Sequence, residues 1–280
     1  MREISVEKII EIVEQMCVKA NYYLNDDIEC ALRNQIQREK SPIGQSILEK
    51  LVKNSRIARD KDMPICQDTG MAVFFVEVGQ EVHVVGGSLT EAINEGVKNG
   101  YCKGYLRKSV VQDPLNRINT GDNTPAVIHY DIVPGDKIKI AIAPKGFGSE
   151  NMSALKMLKP SDGVQGVVDF VVQTVDQAGA NPCPPIVVGV GIGGTMEKAA
   201  ILAKKALLRP VHRRNSNEYY RNLELKILEK INGLGIGPQG LGGTTTALAV
   251  NIEVFPTHIA GLPVAVNISC HATRHMEVEI

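Results

Sequence analysis

Pro64-Ile65-Cys66-Gln67-Asp68-Thr69-Gly70 stands immediately before the apolar run Met71-Ala72-Val73-Phe74-Phe75-Val76. A thiol, an amide, a carboxylate and a hydroxyl occupy four consecutive positions, closed by a glycine. The segment that follows reads as a half-buried strand. The four polar groups therefore sit on a loop feeding a strand, and loops held by a rigid scaffold are where binding and catalytic groups collect. The competing reading is a polar turn with one cysteine buried as a small hydrophobe. Two later cysteine loops shift the balance.

Upstream of this loop, Val6, Ile9, Ile10, Val13, Met16 and Cys17 recur at helical spacing, which makes Cys17 a core residue. Asp26 or Asp27 is suited to cap a second helix containing Cys30 and Leu32. Ser41-Pro42 opens a third, with Ile43, Ile47, Leu48, Leu51 and Val52 facing inward. This N-terminal part predicts a helical layer without chemistry. Downstream, Ser88-Leu89-Thr90-Glu91 opens a helix running toward Gly100, with Cys102 just beyond. Residues 126–133 and 137–143 predict strands joined as a hairpin by Pro134-Gly135-Asp136. Pro144-Lys145-Gly146-Phe147-Gly148 leads into a predicted helix near 152–158, whose first amides suit a carboxylate. A further helix follows Pro160-Ser161-Asp162, with Val164, Val167, Val168, Val171, Val172 and Val175 on its apolar face.

Composition narrows the classes. The 280 residues carry 31 Lys plus Arg against 31 Asp plus Glu, so no global field favours nucleic acid or an anionic membrane. The charged start lacks the apolar core of a signal peptide, and no apolar run reaches the length of a membrane span. The expectation is a soluble, cytoplasmic protein. Six cysteines, none in C-x-x-C spacing, are too sparse for a disulfide scaffold and predict reduced thiols. Any metal site must be assembled from distant points.

Asn181-Pro182-Cys183-Pro184-Pro185 is the second cysteine loop; a residue before proline is kept out of the helical region, which predicts an extended segment. Residues 186–190 read as a buried strand. Gly189-Val190-Gly191-Ile192-Gly193-Gly194 matches a dinucleotide-binding pattern literally, but Arg213 and Arg214 stand where an acidic residue belongs. Close helix–strand packing is the expected reason for these glycines. A third cysteine loop, Cys270-His271-Ala272-Thr273-Arg274-His275, follows the last apolar strand. Cys66, Cys183 and Cys270 thus all lie at strand edges, whereas Cys17, Cys30 and Cys102 lie in helical or unremarkable contexts. Three thiolates are one short of the four that ligate a full iron–sulfur cube, and an open corner leaves one iron as a Lewis acid.

Five ordered motifs resemble the iron–sulfur hydro-lyases, class I fumarases and two-subunit tartrate dehydratases. They are Cys66-Gln67-Asp68-Thr69-Gly70, Asn119-Thr120-Gly121-Asp122-Asn123-Thr124-Pro125, Asn181-Pro182-Cys183-Pro184-Pro185, Gly235-Ile236-Gly237-Pro238-Gln239-Gly240 and Cys270-His271-Ala272-Thr273-Arg274-His275. The resemblance runs from near residue 10 to the end and matches an α subunit. It implies a 4Fe–4S cluster with one open iron held by Cys66, Cys183 and Cys270. It also implies Gln67, Arg107 and Gly148 as binding residues for a small C4 dicarboxylate, with Asp68 and His258 as catalytic residues. The family's remaining site residues lie in a region that this chain lacks, so a β subunit is the expected partner.

The implied fold is mixed α/β, a helical N-terminal layer packed on mixed sheets around a cluster site, as one domain over residues 1–280. Similarity at Gly121-Asp122-Asn123-Thr124-Pro125 and Pro256-Thr257-His258 favours fumarate and L-malate as substrates, with L-tartrate or another hydroxy diacid as the alternative. The competing classes are a non-catalytic iron–sulfur sensor and an NAD(P) oxidoreductase built on residues 189–194.

Overall fold

Strand β1 (Arg2–Ser5) leads directly into helix α1 (Val6–Tyr22), and Ser5 caps the helix by accepting the Lys8 N–H. The structure is a computed structural model that describes residues 2–280. The chain continues through α2 (Asp26–Arg38), α3 (Pro42–Asp60), β2 (Met71–Gly79), β3 (Val82–Val85), α4 (Leu89–Lys103), β4 (Val127–Val133) and β5 (Ile138–Lys145). Next come α5 (Phe147–Glu150), β6 (Ala154–Leu158), α6 (Gly163–Ala178), β7 (Ile186–Gly193), α7 (Met196–Ala206) and α8 (Glu218–Asn232). Strands β8 (Ala247–Phe255), β9 (Leu262–Ser269) and β10 (Met276–Glu279) complete the mixed α/β chain. It divides into two units. The first comprises the N-terminal stretch to Leu24, Ile57–Phe147 and Arg274–Ile280; the second comprises Asn25–Arg56 and Gly148–Thr273.

The first unit is built on a sheet ordered β10-β5-β2-β4, with β1 and β3 forming a separate parallel pair. Ile9, Val13, Met16 and Cys17 of α1 meet Ile93, Val97 and Tyr101 of α4 and the sheet residues Phe74, Ile140 and Ile142 in one core. Burial of each large side chain there contributes about 1.5–3 kcal/mol. The predicted hairpin does not form. Strand β2 lies between β4 and β5, parallel to one and antiparallel to the other. Its buried run from Ala72 to Val76 leaves neither edge to water, so both edges take partners. The 134–136 turn is used differently: Gly135 and Lys137 carbonyls accept the N–H groups of Glu81 and Gly79.

The second unit carries a sheet ordered β6-β9-β7-β8, with β7 parallel to β8 and antiparallel to β9. Val168, Val171 and Val175 of α6 and Ile227 and Ile231 of α8 share a core with the inner faces of β7, β8 and β9. Helix α7 packs so closely on β7 that a Cβ on Gly189 or Gly191 would lie 2.0 Å from the carbonyl oxygen of Ala203 or Ala199. The glycine pattern is thus explained by packing, as expected.

Other expectations are corrected. Residues 152–158 do not form a helix. The helical turn is α5, and β6 adds to the β9 edge, because this short segment pairs its backbone there. Asn25 takes the α2 N-cap position, while Asp27 accepts the Val211 N–H at 2.8 Å. Ile43 is exposed rather than inward, lying one residue past the start of α3, before the helix meets its core.

Candidate active site

The Cys66 loop is tied down from several sides within the first unit. The Asp68 N–H donates to Cys66 Sγ at 3.4 Å, and the Gln67 side-chain oxygen lies 3.6 Å from that sulfur. Asp68 Oδ1 accepts the Gly70 N–H and Oδ2 accepts the Phe147 N–H, both at 3.0 Å. The amide at the start of α5, expected to receive a carboxylate, therefore holds the protein's own. Arg274 donates from Nη2 to the Asp68 carbonyl; among the described residues its Nε and Nη1 have no hydrogen-bond partner, although the side chain is buried.

Arg107 is attached to this loop through one hydroxyl. Thr69 Oγ1 accepts the Arg107 N–H at 3.0 Å and donates to the Arg107 carbonyl at 3.2 Å. Tyr101 donates its hydroxyl to the Thr69 carbonyl at 2.9 Å from the buried face of α4. Burial pushes the Tyr101 hydroxyl well up, so it remains a donor. Gln67 and Arg107 are exposed, Cys66 and Asp68 half-buried, and Thr69 and Gly70 buried beneath them.

In the second unit, Cys183 and Cys270 are joined through His271. The His271 N–H donates to the Cys183 carbonyl at 3.3 Å, and Nδ1 lies 3.0 Å from the same oxygen. Gln239 donates to the Pro184 carbonyl from its backbone at 2.8 Å and from Nε2 at 2.7 Å, and Nε2 lies 3.2 Å from His271 Nδ1. Cys183 has φ +55°, in the left-handed region and not the extended conformation the sequence predicts. The proline that follows excludes only the right-handed helical region. Gly148 opens toward the same loop: a Cβ there would lie 3.9 Å from the Asn181 carbonyl oxygen.

His258 sits on the exposed β8–β9 loop. Its Nδ1 accepts the Ala260 N–H at 3.2 Å, which leaves Nε2 as the ring nitrogen able to donate. The Gly-rich 235–246 segment is fixed by Glu39. Its carboxylate accepts the N–H groups of Ser41, Thr244 and Thr245 at 2.8–3.0 Å. Burial pushes this carboxyl up, but these hydrogen bonds together hold it below its ordinary value.

The predicted residues thus form two groups, Cys66, Gln67, Asp68 and Arg107 in one unit and Gly148, Cys183 and Cys270 in the other. His258 stands on its own loop in the second unit. Among the described residues, no group of three or more His, Cys, Asp or Glu is arranged to hold a metal. The donor chemistry nevertheless fits a thiolate-bound group. Cys66 has an N–H donor on its sulfur and Cys183 is exposed, whereas burial pushes the Cys17 thiol far up and removes it as a ligand. Cys30 and Cys102 lie on exposed helix surfaces. Sequence reasoning missed Thr69, Asn123, Gln239, Glu39 and Arg274 as supports. The first three and Arg274 lie inside the quoted motifs, but their roles depend on backbone partners distant in sequence. No described helix is long and apolar enough to cross a membrane.

The family model for fumarate hydratase (Fumerase) matches residues 10–279. The chain is 45% identical over 275 residues to the Methanocaldococcus jannaschii "Putative L(+)-tartrate dehydratase subunit alpha", covering 95% of each chain. It is 36% identical over 274 residues to the Escherichia coli K12 "L(+)-tartrate dehydratase subunit alpha", covering 96% of this chain and 90% of that one. The same identity and coverage hold for the Shigella boydii protein of that name.

Proposed function

The chain belongs to the fumarate hydratase (Fumerase) family of hydro-lyases, and we propose that it serves as an α subunit that, with a β subunit, removes water from a four-carbon 2-hydroxy diacid. The observation that carries this reading is the single hydrogen-bonded piece formed by the Cys66-Gln67-Asp68 loop and Arg107. It presents a thiol, an amide, a carboxylate and a cation together, within the span that the family model matches.

The roles follow from charge. Arg107 binds one substrate carboxylate and stabilises the negative charge that builds up beside it when the adjacent C–H is deprotonated. The Gln67 amide and the Gly148 backbone orient the diacid. Asp68 takes the proton: a carboxylate has about four lone-pair sites, so oxygens that each accept one backbone N–H retain capacity. The Nε2–H of His258 donates to the departing hydroxyl group. Cys66, Cys183 and Cys270 would hold a 4Fe–4S cluster, which when bound would supply Lewis acidity for that departure. The cysteine thiols require a reducing compartment, which favours the cytoplasm. Residues 1–280 act as one α-subunit module.

Among diacids, the names of the relatives support L(+)-tartrate, converted to oxaloacetate and water, over the fumarate reading expected from sequence. In the two motifs behind that expectation, Asp122, Thr124 and Thr257 spend their side chains inside the chain. Asp122 Oδ1 accepts the Thr124 N–H and hydroxyl, and Thr257 donates to the Gly194 carbonyl. They are poorly placed to distinguish a hydrogen from a hydroxyl on the substrate. Interconversion of fumarate and L-malate is the second reading, favoured by the description of the family model. The test is the anaerobically loaded α–β pair, assayed on L(+)-tartrate and L-malate. We expect kcat/KM for tartrate to be higher by about tenfold or more, as when a buried polar group recognises an extra hydroxyl. Faster turnover of L-malate would replace the first reading with the second.

A further inference from the structure

Asn123 is buried with φ +66°, a conformation that asparagine tolerates better than most residues. Its Oδ1 accepts the N–H groups of Ser109 at 2.7 Å and Val110 at 3.2 Å, and its Nδ2 donates to the Gly70 carbonyl at 3.2 Å. One amide thus joins the backbone just after Arg107 to the backbone just after Asp68. Thr69 makes the parallel connection, with its hydroxyl on both the N–H and the carbonyl of Arg107. Tyr101 closes the arrangement from below, within reach of the Thr69 and Gly70 carbonyls at 2.9 and 3.2 Å. On either side of the exposed Arg107, Leu106 and Val110 are buried and anchor the segment.

We propose that Thr69 and Asn123 are positioning residues that set the spacing between the Arg107 guanidinium and the Gln67-Asp68 pair. The inference deepens the reading of Arg107 as the carboxylate anchor and rests on it. Neither side chain faces solvent, so both act through Arg107 and not on the substrate. The geometry explains why these two polar residues are buried at all. Each satisfies backbone N–H groups of the 107–110 segment, which is in no strand or helix that would pair them. A diacid held by its carboxylate on Arg107 presents its reacting carbon at a distance fixed by this clamp. A displacement of about 1 Å at such an anchor can reduce turnover on the order of 100-fold.

The test is a double-mutant cycle on the loaded α–β pair, combining Thr69→Val with Arg107→Ala. Thr69→Val keeps the volume and removes both hydrogen bonds. It should raise KM for the diacid by about 10- to 100-fold with little change in iron content. Thr69→Ser, which retains the hydroxyl, should restore KM. In the Arg107→Ala background Thr69→Val should add nothing, because the group it positions is gone. Equal and additive losses in both backgrounds would mean a merely structural role and overturn the proposal. An unchanged KM in Arg107→Ala alone would instead overturn the reading of Arg107. In that case amide exchange at Arg107 in the unloaded chain still judges the clamp: faster exchange in Thr69→Val supports it and unchanged protection refutes it. If Thr69→Val does not fold, Asn123→Asp replaces it in the same cycle, with exchange read at Ser109 and Val110. It loses the donor to Gly70 and places an acceptor against that carbonyl.

Discussion

The Phe147 N–H donates to Asp68 Oδ2 at 3.0 Å, so the carboxylate of the Cys66 loop is held by the first turn after β5. Gly146, the residue before, leaves room for it: a Cβ there would stand 3.0 Å from the same oxygen. The orientation of Asp68 is therefore written into a glycine on another strand end. Gly146→Ala should reduce kcat of the loaded pair by about tenfold while iron content stays near wild type, as expected for a displaced reacting group. Steady-state kinetics beside an iron determination checks this, and an unchanged kcat would show that Asp68 tolerates displacement.

The six cysteines should separate cleanly in a reconstitution. Cys66→Ser, Cys183→Ser and Cys270→Ser should each lose the thiolate-to-iron absorption or most of it, because three ligands leave none to spare. Cys30→Ser and Cys102→Ser, on exposed helix surfaces, should load normally. Absorption spectra and iron counts under anaerobic conditions provide the comparison. A normal spectrum in Cys183→Ser would break the ligand assignment.

Glu39 makes the second unit sensitive to acid. Its carboxyl lies below its ordinary value in the folded chain, so it binds fewer protons there than when unfolded. The stability it contributes is present above the unfolded value of about 4.3 and is lost as pH falls through the folded value. Protection of the Thr244 and Thr245 amides, taken relative to intrinsic exchange at each pH, should therefore fall as pH drops through the lowered Glu39 value, and Glu39→Gln should show the loss already at neutral pH. Exchange mass spectrometry on residues 235–246 reads it directly.

The packing of α7 on β7 predicts a strong response to a single methyl group. Gly191→Ala would place Cβ 2.0 Å from the Ala199 carbonyl oxygen, where backbone must move. Overpacking of this kind costs about 1–3 kcal/mol and can cost more. A thermal melt should show a lower Tm or no folded protein, and wild-type stability would contradict the packing reading of these glycines.

Much of this was legible in the chain itself. The apolar periodicity of α1, the Ser88 cap of α4 and the run of β7 appear where the residues predict them, because each is decided by local spacing. The insertion of β2 between β4 and β5 was not legible, since a proline–glycine turn constrains the chain but not which strand edge lies beside it. Strands β1 and β10, four residues each, are too short to show alternation and exist through their partners β3 and β5. The candidate site divides in the same way. Cys66 and Asp68 stand out by residue type in their loop, whereas Arg107 enters through the family resemblance. Thr69 and Asn123 acquire meaning only when the structure shows which backbone groups they satisfy.

The central claim is that this chain contributes half of a hydro-lyase site and needs a partner for the other half. Arg107 is the proposed cation for one end of the diacid, and the β subunit is proposed to bind the other end. The decisive measurement is turnover of L(+)-tartrate and of L-malate by the anaerobically loaded chain, first alone and then with its β subunit. The account predicts a loaded but nearly inactive chain that gains turnover on addition of the β subunit and loses most of it again in Arg107→Ala. Full activity from the chain alone, or none from the complete pair on either diacid, would contradict it.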